Sequence, residues 1–434
     1  MNGSTPVVRP VPEVYVLWHP ACAVGEMMAS RIYTWLRPGA GLGPDVFFRS
    51  AARPDAASGR LPLPLPGETR PQGSGSEQRK SRRRDLVDLQ IVIPLIDSNM
   101  VADPAWQYWL RSLASQSSGA NRVFLPVALE PSAFNVPAQI ASQNFLRPAG
   151  LPLQSELKPD EIEPVLRSLC KQLTEALCSM LLGSPQDGSE ALGDSRKSSA
   201  ASRSTDTKIT LFLSHAKIDG SNPARRIRDY IYTNTQLAAF YDENDIPFGS
   251  GFSQIIQSVL TGTRTAALIV VRSAAYASRP WCRREISVFR RPLKDPNVPN
   301  LLRLNPILIV DTLQGGQETF GVPEFGNAAL VGWSDAHAGI EEQIVTLVLR
   351  DALLRAFHSS LGRHLLKGAQ SSRVVINWVP DPTTLLLLEP LREAHGRPIE
   401  ICYPGRGLSA LELDILEEYF PHVTFTSYER ALAS

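Results

Sequence analysis

Between Lys208 and Gly362, short apolar runs alternate with segments of helical periodicity, and this alternation restricts the chain to few folds. The run Thr265–Val271 consists almost entirely of Ala, Leu, Ile and Val, as a strand buried on both faces of a parallel sheet requires. Other runs predict strands at 209–213, 237–241 and 306–310, with helices at 225–232, 252–260 and 341–357. This order predicts an α/β fold with a doubly wound, flavodoxin-like parallel sheet.

The first 183 residues repeat this order of elements, so we expect the fold to be duplicated. The corresponding segments are Val14–His19 with Leu211–His215, Ala29–Tyr33 with Ala224–Arg228, Asp103–Trp106 with Ser278–Trp281, and helix 161–182 with helix 341–357. Leu110 stands four residues after Trp106, whereas Glu285 stands four residues after Trp281. We therefore interpret the first copy as a degenerate version that lacks the acidic residue of the second.

Two segments without apolar periodicity separate or interrupt the folded parts. Residues 184–207 are rich in Ser, Gly and charge and are predicted to form a flexible linker, and residues 54–84 a long loop inside the first copy. The predicted domains are therefore 1–183, 208–364 and a small C-terminal α/β unit at 365–434. The C-terminal unit has predicted strands at 374–378, 399–402 and 423–425, and helices at 383–394 and 409–420.

Two segments carry weak signals for phosphate binding. Gly405 and Gly407 precede a helix that opens with the capping-box pattern Ser409–Glu412, and a helix N-terminus can hold a phosphate. We favour a tight strand-to-helix turn there, because this glycine spacing is weak evidence for a ligand. The basic run Arg79–Arg84 is likewise interpreted as a solvated loop, with phosphate contact as the alternative.

Composition argues against several classes of function. The 434-residue chain has a formal net charge of +1, which favours neither nucleic-acid binding nor a membrane surface. Its five cysteines are scattered without a CxxC pair and its seven histidines are dispersed, so we predict no disulfide framework and no metal site. No apolar run approaches the ~18 residues that span a bilayer, and the N-terminus lacks a signal-peptide pattern. We expect a cytoplasmic protein that binds no metal, membrane or nucleic acid.

Two neighbouring motifs carry the chemistry of the second copy. Phe240–Gly251 reads FYDENDIPFGSG, an acidic, glycine-bearing loop that leaves an apolar strand. Arg279–Ile286 reads RPWCRREI and opens a helix on which Trp281 and Glu285 are four residues apart, and such residues share a helix face. An aromatic ring beside a carboxylate suits a flat, cationic, ring-bearing ligand, and nicotinamide on a ribose is one such ligand.

On these residues, the segment 208–362 resembles a Toll/interleukin-1 receptor (TIR) domain of the bacterial kind. The matching segments are Leu211–His215 in the first strand, Asp219 after it, Phe240–Gly251 after the second strand, and Ser278–Glu285 at the entry to the third helix. The resemblance covers about a third of the chain. The first copy resembles the family in fold only, and the resemblance does not extend to residues from 373 onward.

The resemblance implies an enzyme that cleaves NAD between nicotinamide and ribose, releasing nicotinamide and ADP-ribose or a cyclic ADP-ribose. It implies that Glu285 is catalytic, that NAD is the substrate with no further cofactor, and that the loop Asp242–Gly251 is a mobile gate. The residues expected to contact substrate are Trp281, Phe212, Ser214, His215, Asp242, Asp245, Gly249, Gly251 and Arg284. The family further implies a homo-oligomer formed through TIR–TIR contacts, an activating partner or nucleotide signal, and a role in anti-phage defence or signalling.

One carboxylate suffices for this reaction, because the pyridinium nitrogen of NAD is already cationic and nicotinamide leaves as a neutral molecule. Glu285 would stabilise the oxocarbenium-like transition state electrostatically, whereas most glycosidases need a second carboxylate to protonate a leaving oxygen. Structural alternatives exist for these residues. A glutamate in the first turn favours the helix dipole, Trp281 can be a packing residue, and Arg284 can be solvated or paired with loop carboxylates.

Two other functions remain open from the sequence. The main alternative is a non-enzymatic signalling adaptor, in which the same loop and helix make TIR–TIR contacts. An adaptor has no need of a carboxylate beside Trp281, so Glu285 favours the enzyme. The third possibility is a sensor of a nucleotide derivative, with its pocket in the first copy or in the C-terminal unit.

Overall fold

The apolar runs of the sequence form the strands of mainly parallel sheets. The computed structural model describes residues 11–39, 42–50, 65, 87–116, 122–151, 159–182, 208–241, 265–295, 298–313, 321–367, 372–393, 396–405 and 407–433. Within these ranges lie three five-stranded sheets. The described residues divide into two units, one ending at Leu173 and one running from Thr174 to Leu432. None of the helices in these ranges is long and apolar enough to cross a membrane.

The first unit contains a parallel sheet flanked by helices. Its strands are β1 Pro12–Trp18, β2 Val46–Arg49, β3 Leu89–Ile96, β4 Arg122–Phe124 and β5 Val127–Ala128. Its helices are α1 Gly25–Leu36, α2 Ser98–Ala102, α3 Pro104–Gln116, α4 Ala138–Ala141 and the first part of α5 Pro159–Leu182, whose residues from Thr174 onward belong to the second unit. Strands β4 and β5 both pair with β3 and are separated at Pro126, which has no N–H for the ladder. Leu146 forms an isolated parallel bridge to Val127 and marks a fifth position in the sheet.

The second unit begins with a second parallel sheet. Its elements, with two strands of a third sheet between them, are β6 Thr210–His215, α6 Ser221–Asn234, β7 Ala238–Tyr241, β8 Thr265–Arg272, α7 Pro280–Phe289, β9 Leu293–Lys294, β10 Leu301–Arg303, β11 Ile307–Asp311, β12 Ala329–Gly332 and α8 Ile340–Leu365. The order across the sheet is β12-β11-β8-β6-β7. Numbered within the copy and read from β7 to β12, this is 2-1-3-4-5, the flavodoxin-like order. The first unit follows the same order, with Leu146 at the fifth position. The predicted duplicated, doubly wound fold is confirmed.

The third sheet contains the strands predicted for residues 365–434 and also two strands from earlier in the chain. Its remaining elements are β13 Arg373–Ile376, α9 Pro382–Leu385, α10 Glu389–Glu393, β14 Ile399–Tyr403, α11 Ala410–Tyr419, β15 Val423–Ser427 and α12 Tyr428–Ala433. The order is β15-β14-β13-β10-β9, with only β9 antiparallel to its neighbour. Strands β9 and β10 therefore come from inside the segment predicted as the second copy.

Helix α8 extends beyond its predicted end at 357 because its last turns pack beneath the third sheet. Gly362 makes this approach close, since a Cβ there would lie 2.7 Å from Val375 and 3.2 Å from Leu301. Asn377, at the end of β13, accepts a hydrogen bond from the backbone N–H of Leu304 at 2.8 Å. These contacts connect the third sheet to the second copy within one unit.

Candidate functional site

The sequence of α7 sets where the helix begins and which of its faces packs on the second sheet. Arg279 is extended at the N-cap and Pro280 occupies the first helical position, where a missing N–H costs nothing. The buried residues of the helix are Cys282, Glu285, Ile286 and Phe289, which recur at helical spacing. Glu285 therefore faces the sheet together with apolar neighbours, although it is a carboxylate.

The carboxylate of Glu285 lies at the carboxyl end of β6 and is only 6% exposed. Ser214 Oγ donates a hydrogen bond to Glu285 Oε2 at 2.5 Å. The hydroxyl of Tyr276 lies 2.7 Å from Ser214 Oγ and 3.3 Å from the carbonyl oxygen of Cys282. Burial raises the pKa of Tyr276 well above its ordinary value, against a smaller lowering by the hydrogen bond with Ser214, so the phenol stays protonated. We refer to Ser214, Tyr276 and Glu285 as the polar trio.

The polar trio occupies the place where this sheet topology binds ligands. In an open α/β sheet the crevice lies outside the carboxyl ends of the strands, where the strand order reverses. In the second copy that point lies between β6 and β8, because β7 is on one side and the later strands are on the other. Ser214 pairs with Val270 across these two strands.

Trp281 and the neighbouring arginines lie outside this buried centre. The indole of Trp281 is 44% exposed, and the Arg284 guanidinium lies 5.2 Å from its ring centroid. Arg283 forms an ion pair with Glu324 at 2.7 Å, and that hydrogen bond raises the pKa of Arg283. Helix α7 thus presents an aromatic ring and cationic groups to solvent and a carboxylate to the sheet.

The other predicted substrate contacts have mixed positions. Phe212 is buried and stacks on Phe240, with ring centroids 5.0 Å apart. His215 is also buried, and its carbonyl oxygen accepts a hydrogen bond from the Cys282 thiol at 3.4 Å. The remaining predicted contacts, Asp242, Asp245, Gly249 and Gly251, lie outside the described residues, and their roles stay predictions.

Sequence reasoning missed Tyr276 and the structural role of Asp219. Asp219 accepts hydrogen bonds from Ser273 Oγ at 2.6 Å and from the Ala275 N–H at 2.8 Å, which joins the loop after β6 to the loop after β8. Tyr276 follows in a 3₁₀ turn, four residues before Pro280. The sequence shows only a tyrosine shortly after a buried strand, which does not indicate a role in the site. Its partner Ser214 is 62 positions away in the chain.

The two copies can be aligned through an aromatic pair that they share. Tyr15 of β1 is paired with Phe47 of β2 and stacks on it, with a centroid distance of 5.2 Å and an interplanar angle of 24°. Phe212 is paired with Phe240 in the same way, at 5.0 Å and 23°. Tyr15 therefore corresponds to Phe212.

This alignment shows which residues replace the polar trio in the first copy. Helices α3 and α7 begin at equivalent prolines, Pro104 and Pro280. Leu17 and Ser214 are equivalent, because each stands two residues after its aromatic residue, Tyr15 or Phe212. Counting from the two prolines makes Met100 equivalent to Tyr276 and Trp109 equivalent to Glu285. All three residues of the first copy are buried and belong to one hydrophobic cluster. The first copy therefore fills with apolar side chains the volume that the second copy gives to polar groups.

The equivalences drawn from sequence were displaced by one residue. Leu17 corresponds to Ser214 and not to Leu213, and Trp109, not Leu110, occupies the position of Glu285. In the strand the shift arose because a continuous apolar run has no internal mark that fixes its register. In the helix it arose because the two tryptophans, Trp106 and Trp281, were aligned, whereas the helices begin at Pro104 and Pro280. The conclusion that the first copy lacks the carboxylate is unchanged.

The N-terminus of α11, the predicted phosphate position in the C-terminal unit, is already capped by its own side chains. Ser409 and Glu412 form a capping box, so the Glu412 carboxylate already accepts the Ser409 N–H at 2.7 Å. The Leu408 N–H donates to Tyr403 Oη at 2.9 Å, and Gly405 has a φ of 94° in the intervening turn. The favoured interpretation as a tight turn is supported, since a carboxylate at this position repels an anion. Among the described side chains, no group of three or more His, Cys, Asp or Glu could hold a metal ion.

No family model and no curated protein matches this chain. Among solved structures, the chain is similar to the TIR domains in a structure described as the activated Roq1 resistosome directly recognizing the pathogen effector XopQ. The identity is 15%, the match covers 34% of this chain and 83% of that chain, and the TM-score is 0.21. The fold assignment therefore rests on the strand order, which is consistent with a TIR-like fold.

Proposed function

We propose that the second copy is an NAD glycohydrolase, in which Glu285 stabilises the transition state for cleavage of the nicotinamide–ribose bond. The observation that carries the proposal is a buried carboxylate at the switch point of the sheet, hydrogen-bonded by Ser214. Burying an ionisable group is costly unless it is hydrogen-bonded, and the equivalent position of the first copy holds Trp109 instead. The fold does not need an acidic residue here, so a chemical role accounts for it.

The proposed chemistry needs an anion in a site that excludes water. Positive charge develops on the ribose as nicotinamide departs, and a fixed carboxylate stabilises that charge more strongly in a low-dielectric site than in water. Trp281, at the exposed edge of α7, would stack on a ring of the substrate. Arg284 beside it carries the charge to meet the pyrophosphate.

The wider role follows from the same proposal. The products would be nicotinamide and ADP-ribose or its cyclic form, and activity would require a homo-oligomer formed through TIR–TIR contacts. A role in anti-phage defence or signalling, triggered by an activating partner or nucleotide signal, is part of the proposal. The alternative is an adaptor that uses the exposed face of α7 for contacts and has no activity.

The test is nicotinamide release from NAD by the full chain, at high protein concentration with a crowding agent. We expect activity in the parent and none in Glu285→Ala. Glu389→Ala is the matched control, because it removes an exposed carboxylate paired with Lys294, and it should equal the parent. Trp281→Ala should raise KM about two- to tenfold through lost stacking. Equal background in the parent and in Glu285→Ala, with assembly of the parent shown by light scattering, would overturn the enzyme and favour the adaptor.

A further inference from the structure

We infer that Ser214 and Tyr276 are positioning residues that hold the carboxylate of Glu285, and that they do not contact the substrate. The inference rests on the proposed function and identifies the residues that hold its catalytic carboxylate in place. Both side chains are buried, and their hydrogen bonds lead to Glu285. Ser214 was expected from the resemblance to line the pocket, so the inference changes its role.

The hydrogen bonds of the polar trio have one direction when Glu285 is ionised. A carboxylate only accepts, so the single hydroxyl hydrogen of Ser214 goes to Glu285 Oε2. The hydrogen of Tyr276 then has two acceptors, the Ser214 oxygen at 2.7 Å and the Cys282 carbonyl oxygen at 3.3 Å, and the shorter distance favours Ser214. Because burial keeps Tyr276 protonated, this donor persists across the working pH range. The chain of donors runs from Tyr276 through Ser214 to Glu285.

This chain of donors ends at the carboxylate of Glu285 and restricts its position. A hydrogen bond donated to a carboxylate stabilises its ionised form, and burial opposes that form. A catalytic group must also be held within about 0.5 Å of its productive position. The 2.5 Å contact with Ser214 restricts Oε2, and the buried Tyr276 ring in turn restricts Ser214.

The first copy shows that the polar trio is not a requirement of the fold. The same strand order is built with Leu17, Met100 and Trp109 at the three equivalent positions, all within a packed cluster. Replacing buried ionic groups by well-packed apolar residues is often neutral or stabilising. All three positions are polar in one copy and all three are apolar in the other, which is expected if they act as one functional group.

The first test separates kcat from KM in the NAD assay. Ser214→Ala removes a hydrogen bond to a charged group and should lower kcat about 10- to 100-fold without changing KM. Tyr276→Phe removes a neutral hydrogen bond and should lower kcat about 2- to 10-fold. Tyr230→Phe is the control, because the Tyr230 hydroxyl donates to the Glu342 carboxylate at 3.2 Å, a contact outside the trio. A raised KM with unchanged kcat in Ser214→Ala would make Ser214 a substrate contact and overturn the inference.

The second test does not depend on activity. The triple variant Ser214→Ala, Tyr276→Phe, Glu285→Leu makes the trio apolar while roughly conserving its volume. We expect a melting temperature equal to or above that of the parent, because desolvated polar groups are removed. A melting temperature well below the parent would show that the trio is structural and would overturn the inference.

The two tests also separate the inference from the proposed function. If Glu285→Ala retains the parent activity, the proposed function fails, whatever the melting temperature of the triple variant. If Glu285→Ala is inactive while Ser214→Ala and Tyr276→Phe equal the parent, the inference alone fails.

Discussion

Replacing Asp295 by alanine should strongly destabilise the third sheet. Asp295 follows β9 and is only 2% exposed, and its carboxylate lies 2.8 Å from the guanidinium of Arg363 on α8 and 3.9 Å from that of Arg303 on β10. Burial lowers the pKa of Arg303, and Asp295 opposes that shift while Arg363 adds to it. Without the carboxylate, two largely buried cations would face each other. Removing one partner of a buried ion pair costs about 3–5 kcal/mol.

Hydrogen exchange is the appropriate assay, because it reports the opening of one part of a protein with several domains. Amides of β13 and β14 should lose protection in Asp295→Ala by roughly two to three and a half orders of magnitude, the equivalent of 3–5 kcal/mol. Amides of β1 and β3, in the first unit, should be unchanged. Asp295→Asn should show a loss of protection between those of the parent and of Asp295→Ala, since its side-chain oxygen still accepts a hydrogen bond from Arg363 but carries no charge.

The preceding residue provides a matched control. Lys294 pairs with Glu389, but both side chains are about half exposed, and surface ion pairs contribute little. Lys294→Ala should therefore leave the protection of β13 and β14 close to that of the parent. If Asp295→Ala changes protection no more than Lys294→Ala does, the argument that the buried carboxylate holds β9 and β10 to α8 is refuted.

Two further predictions concern packing and thiol chemistry. Gly326→Ala should lower stability by about 1–3 kcal/mol, because Gly326 has a φ of 54° and a ψ of −128°, and a Cβ would lie 2.2 Å from the Arg290 guanidinium. Gly339→Ala should lower stability less in thermal melts, because Gly339 has a φ of 83° but open space around it, and an equal cost would contradict the steric argument. Burial raises the pKa of Cys22 and of Cys402 to about 12, so below pH 11 these thiols stay protonated and unreactive. Iodoacetamide at pH 8 should label none of the five buried cysteines in the native chain and all five in urea. Stoichiometric labelling of the native chain would contradict their burial.

Much of the fold was predictable from local patterns. The continuous apolar run at 265–271 predicted a strand buried on both faces, and β8 occupies 265–272. The segment Arg279–Ile286 was predicted to open a helix with Trp281 and Glu285 four residues apart, and α7 occupies Pro280–Phe289. The alternation of strands and helices predicted the doubly wound sheet and its duplication.

The register between the two copies was not predictable. A shift of one residue in an apolar strand leaves its composition the same but turns every side chain to the other face. For the first strands, the stacked pairs Tyr15–Phe47 and Phe212–Phe240 fix the alignment, and they form only when neighbouring strands are in contact. The composition of the third sheet was not predictable either, because β10 pairs with β13 across about 70 residues of sequence.

The sequence by itself determined most of the described strands and helices, the class of the sheets, and the candidate pair of Trp281 and Glu285, since each of these depends on residues close together in the chain. The tertiary structure alone decided that Glu285 is buried, that Ser214 and Tyr276 hold it, and that the other copy fills the same place with apolar residues. Ser214 and Glu285 are 71 residues apart. Periodicity carries no information on such contacts, because they are set by the pairing of strands and by the packing of helices on them.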